Sequence, residues 1–146
     1  MSFAESFGVP AYRVSFLWNS KAGNLATLAD GAWRAIAGDI RFTGIESRGW
    51  YLNGVAIPEW KEGAKSAVIV AGTVNGERAR FTFGGEASRE IWGQLIAFVG
   101  ECDRKGIAPS DWVITVDKLE RKEQRQSWFV PAIRWAIPVT PEPANG

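Results

Sequence analysis

A two-residue turn near the middle of the chain constrains the fold most. Asn75-Gly76 is a strong signal for a β-hairpin, because both residue types tolerate the backbone that such a turn requires. It separates two runs of strand-forming residues, 67–74 and 77–83. If Val74 pairs with Glu77, alternation places Val68, Val70, Ala79, Phe81 and Phe83 on one face, and Ile69, Thr73, Arg78, Arg80 and Thr82 on the other. The sequence therefore predicts an apolar inner face and a basic, hydroxyl-bearing outer face.

The segment after this hairpin predicts the principal helix. Ser88 is a candidate N-cap. Apolar residues follow at helical spacing, namely Ile91, Leu95, Val99 and Cys102, with Trp92 and Ile96 alongside. The helix is expected to end at Arg104-Lys105-Gly106, because cations suit the negative end of the helix dipole and glycine suits a left-handed cap. Trp92 and Cys102 lie on the apolar stripe, so we expect both to pack in the core.

Further strands are predicted on both sides of this hairpin and helix. Downstream, residues 112–119 and 127–136 form two strands, and the charged run 120–126 between them is expected to be a flexible loop tip. Pro131 cannot donate a hydrogen bond to a sheet, so its strand lies at an edge or is bulged there. Upstream, residues 11–18 and 39–46 are typical of strands, and Asn53-Gly54 suggests another tight turn. Residues 24–36 fit either a short helix or a mobile loop.

The length of the chain favours a single domain. Its 146 residues can bury one substantial core, and we predict a binding domain over residues 1–137 followed by a proline-rich flexible tail over 138–146. A single cysteine, Cys102, leaves no internal disulfide, as expected in a reducing compartment. Neither a secretory leader nor a membrane span is predicted. We therefore expect a cytoplasmic protein, located in the bacterial host if the chain is viral.

The amino-acid composition favours binding over catalysis. The chain has eight tryptophans and no histidine, so Ser-His-Asp triads, Cys-His dyads and most zinc or iron sites are excluded. Phosphate-binding glycine loops and calcium loops are also missing from the sequence. No spacing singles out a pair of catalytic carboxylates. We predict a protein that is not an enzyme and that needs no metal or cofactor.

The predicted order of elements resembles a known fold. Three strands, a helix and two more strands over roughly residues 39–137 resemble the OB-fold, a five-stranded barrel that binds oligonucleotides or oligosaccharides. The last two strands, from Trp112 to Trp135 with a basic loop between them, resemble those of single-stranded-DNA-binding proteins encoded by bacteriophages. The tail differs from that of bacterial replication-type binders, because it carries only Glu142 in place of an acidic cluster. The resemblance implies a mainly β protein with one principal helix, an OB-like barrel and an N-terminal extension.

This resemblance implies non-catalytic binding of single-stranded DNA, in viral or plasmid DNA replication or recombination. Such binding needs aromatic rings on which bases stack and cations that contact phosphates. The candidate stacking residues are Trp50, Tyr51, Trp60, Trp112 and Trp128. The candidate phosphate-binding residues are Arg78, Arg80, Lys118, Arg121, Lys122 and Arg125. Residues 19–31 and the loop 120–126 are expected to close over the strand.

Other partners stay open at this stage. RNA would satisfy the same stacking and phosphate contacts as DNA, and the chain could assemble as a homo-oligomer. Exposed tryptophans would also suit a carbohydrate-binding module, which needs no basic groove. A structural or inhibitory protein of a virus, whose tryptophans bury a protein–protein interface, is the third alternative.

Overall fold

The computed structural model describes residues 14–29, 31–53 and 55–138. Within these ranges the protein is mainly β with one principal helix, as predicted. The strands are β1 (Val14–Asn19), β2 (Asn24–Ala29), β3 (Ala32–Ala35), β4 (Ile40–Leu52), β5 (Val55–Ile57), β6 (Lys65–Val74), β7 (Glu77–Gly84), β8 (Val113–Glu123) and β9 (Gln126–Ala136), and the helix is α1 (Glu86–Lys105). A single 3-10 turn, Pro109–Asp111, leads into β8.

The β6–β7 hairpin has the predicted register and the predicted faces. Val74 pairs with Glu77 across the Asn75-Gly76 turn, and both turn residues have positive φ. The five residues of the inner face are all buried. Those of the outer face are half-buried or exposed. The alternation of side chains along the two strands was therefore sufficient to orient this hairpin relative to the core.

The described strands form one nine-stranded sheet that is not closed. Eight of them follow the order β3-β2-β1-β7-β6-β4-β8-β9, and β5 pairs with β4 beside this path. All pairs are antiparallel except that of β1 with β7. β8 joins β4 only through Ile40 and Ile114, so the β8–β9 hairpin diverges from the rest of the sheet. A closed barrel of five strands, as expected from the sequence, is not what these pairings build.

Helix α1 packs its apolar side against the inner face of the sheet. Ile91, Leu95 and Cys102 are buried there as predicted, and they share one core cluster with Phe81 and Phe83. The helix ends at the predicted left-handed cap, Gly106, whose φ is 65°.

Two details of the predicted helix were wrong. The N-cap is Gly85, and Ser88 lies inside the first turn, where its hydroxyl donates to the carbonyl oxygen of Gly85 at 2.6 Å. Val99 is exposed, because the buried stripe passes through Phe98 instead. The rotation of α1 about its own axis decides whether Val99 or Phe98 is buried. This rotation is set by contacts with the core, and the apolar spacing alone does not specify it.

β9 is an edge strand, as Pro131 predicted, and the side chain of Gln94 and the backbone of Ser20 bond to its outer edge. The side-chain amide of Gln94 on α1 donates to the carbonyl oxygen of Pro131 at 2.8 Å and accepts from the backbone N–H of Ile133 at 2.7 Å. The backbone N–H of Phe129 donates to the carbonyl oxygen of Ser20 at 2.8 Å. Pairing of this kind prevents an edge from recruiting another chain.

Two segments expected to be irregular are strands. Residues 24–36 contain β2 and β3, which form neither a short helix nor a loop. The charged run 120–126 continues β8 and starts β9, with Gln124-Arg125 as a two-residue turn and Gln124 at φ 53°. Long charged side chains are tolerated on both faces at the tip of β8–β9 because this tip projects beyond the core into solvent. In contrast, β2 packs Leu25 into the core cluster.

The remaining expectations are settled in part. Leu52 pairs with Val55 and Asn53 has a φ of 52°, and Gly54, the second residue of the predicted tight turn, lies outside the described residues. The predicted tail lies outside the described residues except for Pro138, and so do the first three residues of the predicted strand 11–18. The described ranges contain no helix with the length and apolarity that a bilayer crossing requires.

Candidate nucleic-acid interface

The outer face can be followed across six paired strands and is exposed or half-buried along this path except at Ala26, which is buried. A single row of directly paired residues crosses β4, β6, β7, β1, β2 and β3 in that order: Ser47, Ile69, Thr82, Leu17, Ala26 and Ala35. Directly paired residues lie on the same face of a sheet. The basic strand β7 and the β2–β3 hairpin, which we call the N-terminal hairpin, therefore present side chains to the same side of the molecule.

An exposed tryptophan lies on this surface beside the row. Trp33 is two residues before Ala35, so it shares the outer face, and its side chain is 52% exposed. Trp33, Leu17 and Lys21 line a shallow groove of about 360 Å³. Neither Leu17 nor Trp33 was predicted from the sequence as a site residue, and Lys21 was included only within residues 19–31, which were expected to close over the strand. Trp33 was missed because residues 24–36 were left unassigned between helix and loop, and Gly31 interrupts any strand-like alternation there.

Arginine side chains of β7 supply the positive charge of the outer face. Arg78 is exposed and has no carboxylate partner among the described residues. Arg80, two residues further along, forms an ion pair with Glu46 that includes two hydrogen bonds. The charge of Arg80 is thus balanced within the protein, and Arg78 is the better candidate for a phosphate contact.

Three of the predicted stacking residues keep an accessible ring. Trp60 is 60% exposed and Trp50 is 37% exposed. Tyr51 is half-buried on the outer face at the end of β4, and its hydroxyl lies 3.2 Å from that of Ser47. Trp50 points to the opposite face, towards α1, because it pairs with Ser66 two residues from buried Val68. The structure therefore does not bring these three rings together on one surface.

The other two predicted stacking residues serve the packing of the protein itself. Trp112 is only 3% exposed and meets Phe98 edge to face, so its ring cannot stack on a base. Trp128 is half-buried, and its indole N–H donates to the carboxylate of Glu86 on α1 at 2.6 Å. That bond holds the β8–β9 hairpin against the start of the helix.

The predicted cations divide into two groups. One group is engaged with carboxylates, in the pairs Arg80–Glu46, Arg121–Glu90 and Lys122–Glu120. Arg78, Lys118 and Arg125 have no such partner in the described part of the chain. The ammonium of Lys118 lies 4.7 Å from the ring centre of Phe129, and Arg125 is at the tip of the β8–β9 hairpin. The six cations do not form one groove.

Metal-ligating side chains and the single cysteine were also considered as possible sites. No three His, Cys, Asp or Glu side chains come together there as a metal site. Burial raises the pKa of the Cys102 thiol, which disfavours the thiolate that a nucleophile needs. The buried cysteine behaves as a small apolar residue of the core.

Comparisons of the chain with protein-family models, with curated proteins and with solved structures found no match.

Proposed function

We propose that this protein binds single-stranded DNA without catalysis, and that the strand lies across the outer face from β7 to the N-terminal hairpin. The supporting observation is the row of paired residues that crosses the sheet. It puts Arg78 on β7 and Trp33 on β3 on the same face. This proposal keeps the predicted function and part of the predicted hairpin site. It replaces most of the predicted stacking residues with Trp33.

The order of five strands supports an OB-like ancestry for this surface. β4, β6, β7, β8 and β9 are neighbours in the order β7-β6-β4-β8-β9, and α1 follows the third of them along the chain. In an OB-fold the first strand likewise lies between the second and the fourth, and its second and third strands form the binding face. Here β1 pairs with β7 at the edge where the last strand of a barrel would close. The proposed relation is to an open OB-fold with an added hairpin.

The spacing of the outer-face groups suits a flexible polyanion. β7, β1 and β3 run in the same direction, and Trp33 precedes Ala35 by two residues as Arg80 precedes Thr82. Trp33 is therefore about 14 Å from this part of β7, which is three strand spacings. The hydroxyl of Ser15 on β1 lies between Trp33 and β7, and that of Thr82 lies on β7 itself. A strand of several nucleotides would stack one base on Trp33 while its phosphates reach β7.

Stacking is expected to contribute more than overall charge. The net charge of the chain is only +1, so long-range attraction of DNA is weak. One base stacked on an aromatic ring contributes about 1–3 kcal/mol. Each phosphate contact adds a smaller, salt-sensitive term through the release of counterions. The affinity should therefore be modest and should keep a substantial part at high salt.

Binding of a fluorescent, 5′-unphosphorylated dT30 to the full chain tests this proposal. Trp33→Ala is expected to weaken binding by about 5- to 150-fold, because it removes one stacked base. Arg78→Ala should weaken binding and reduce the slope of log K against log salt by about 0.7, the share of one phosphate contact on a single strand. Fluorescence anisotropy at two salt concentrations measures both effects.

Matched controls lie on the helix. Arg104→Ala removes the same charge at the far end of α1, and Ile96→Ala removes an exposed apolar side chain from the same helix. Both controls should bind dT30 as the unmodified protein does. The proposal fails if dT30 does not bind, or if the outer-face variants bind as tightly as these controls.

A further inference from the structure

A second cleft opens on the opposite side of the sheet, between the ends of β4 and β6 and the first turns of α1. Its volume is about 510 Å³, within the usual range for small-molecule sites. Arg48, Trp50, Arg89 and Trp92 contribute its large side chains, and Pro58 lies at its margin. None of the described lining residues is acidic. The cleft is therefore both aromatic and cationic.

Neither arginine of the cleft is neutralised by a carboxylate of the described residues, in contrast to four other arginines. Arg80, Arg104, Arg121 and Arg134 each form an ion pair with a carboxylate. Arg48 and Arg89 have no carboxylate partner among the described residues. An arginine fork without an internal partner is suited to bind carboxylate or phosphate through two parallel hydrogen bonds.

The acidic residues of the same helix turn are directed elsewhere. Glu86 accepts from the indole of Trp128 at 2.6 Å, and Glu90 pairs with Arg121 at 3.1 Å. Both carboxylates thus bond to the β8–β9 hairpin. The positive end of the α1 dipole, which favours an anion, lies beside the cleft without a carboxylate from this turn facing it.

The aromatic rings of the cleft have separate roles. The guanidinium carbon of Arg48 lies 4.1 Å from the ring centre of Trp92, so this ring is already covered and holds the arginine in place. Trp50 keeps 37% of its surface exposed and lines the same cleft. Below them, the hydroxyls of Ser66 and Ser88 bond to each other at 2.6 Å, and Ser88 also donates to the carbonyl oxygen of Gly85. The ring of Trp50 is the surface on which a planar group can stack.

We propose that this cleft binds a nucleoside 5′-monophosphate, with the base stacked on Trp50 and the phosphate held by Arg48 and Arg89. The nucleotide is either free or the phosphorylated 5′ end of a strand. Because the cleft is on the helix side of the sheet, it is separate from the outer face and does not depend on the function proposed above.

Isothermal titration of the full chain with dTMP and with thymidine tests the cleft without any substitution. dTMP is expected to bind at least about tenfold more tightly, since thymidine lacks the group that makes charge-assisted hydrogen bonds with the arginines. Equal affinity for the two compounds, or no binding of dTMP, would overturn the proposal.

Substitution of an exposed arginine locates the site. Arg89→Ala is expected to weaken dTMP binding by about tenfold or more, and Arg104→Ala, on the same helix, is the charge-matched control. Unmodified thermal unfolding of both variants establishes that they fold. Loss of affinity in both variants, or in neither, would contradict the assignment of the site. Arg89→Ala should still bind unphosphorylated dT30 normally, so this proposal and the outer-face proposal can fail separately.

Competition against dTMP identifies the source of the nucleotide. A 5′-phosphorylated dT10 that displaces dTMP better than its unphosphorylated counterpart assigns the cleft to strand ends. Failure of both oligonucleotides to displace dTMP assigns it to the free nucleotide. Both results agree with the proposed ligand chemistry, which would be overturned if inorganic phosphate bound to the cleft as tightly as dTMP, because the stacked base would then contribute nothing.

Discussion

Among single residues, Gly72 shows how tightly the centre of the sheet is packed. It lies in β6, between Phe42 on β4 and Ala79 on β7. A Cβ atom at this position would collide with the carbonyl oxygen of Arg41, and it would also approach the ring of Phe81 to 2.9 Å. The first of these neighbours is backbone, which cannot move aside as a flexible side chain can. The requirement for glycine here is one of space, because its φ is not in the left-handed region.

Gly72→Ala is expected to destabilise the protein by about 1–3 kcal/mol, the usual cost of overpacking a core. Gly84→Ala is the control, since nothing lies within 4 Å of a Cβ built at that strand position, and it should change stability by less than about 0.5 kcal/mol. Midpoints of chemical denaturation measure both. Similar midpoints for the two variants would show that the sheet relaxes around the added methyl group.

Residues whose behaviour is set locally were predictable, and those set by distant partners were not. Asn75 and Gly106 adopt left-handed backbone for reasons contained in their own chemistry. The burial of Trp112 depends on Phe98, which is distant in sequence, and the pairing of Arg80 depends on Glu46. No pattern in the sequence distinguishes such a tryptophan or arginine from one that faces a ligand.

Among whole elements, the β2–β3 hairpin and the tip of the β8–β9 hairpin were not predicted as strands. β2–β3 is short and contains glycine, and the tip of β8–β9 is charged on both faces, so neither shows the apolar alternation of a half-buried strand. Their positions depend on tertiary contacts. Gln94 shows this dependence most clearly, because its amide takes the place of a neighbouring strand for β9.

Gln94→Ala is expected to destabilise the protein by about 1–3 kcal/mol, because the N–H of Ile133 would be left buried without a partner. The amide of Ile133 should also exchange its hydrogen faster. Hydrogen exchange and denaturant midpoints measure these effects, with Ile96→Ala, an exposed position on the same helix, as the control. A midpoint for Gln94→Ala equal to that of the control would mean that the edge of β9 needs no side-chain partner.

At the scale of the whole molecule, the two sides of the sheet have different proposed roles. The inner face holds the core and α1, and the cleft beside Trp92 lies at its end. The outer face carries Arg78, Leu17 and Trp33 to solvent across strands from both parts of the chain. The sequence predicted the two faces of one hairpin, but the extension of the outer face into β1–β3 requires the parallel pairing of β1 with β7, which no local pattern specifies.

The eight tryptophans allow the central claim to be tested directly. Indole N–H signals of 15N-labelled protein, assigned with Trp33→Phe, can be followed by NMR during titration with unphosphorylated dT10. The account predicts a large shift for Trp33. It predicts no shift for Trp112, which is only 3% exposed. A Trp33 signal that stays in place at saturating oligonucleotide would contradict DNA binding by the outer face.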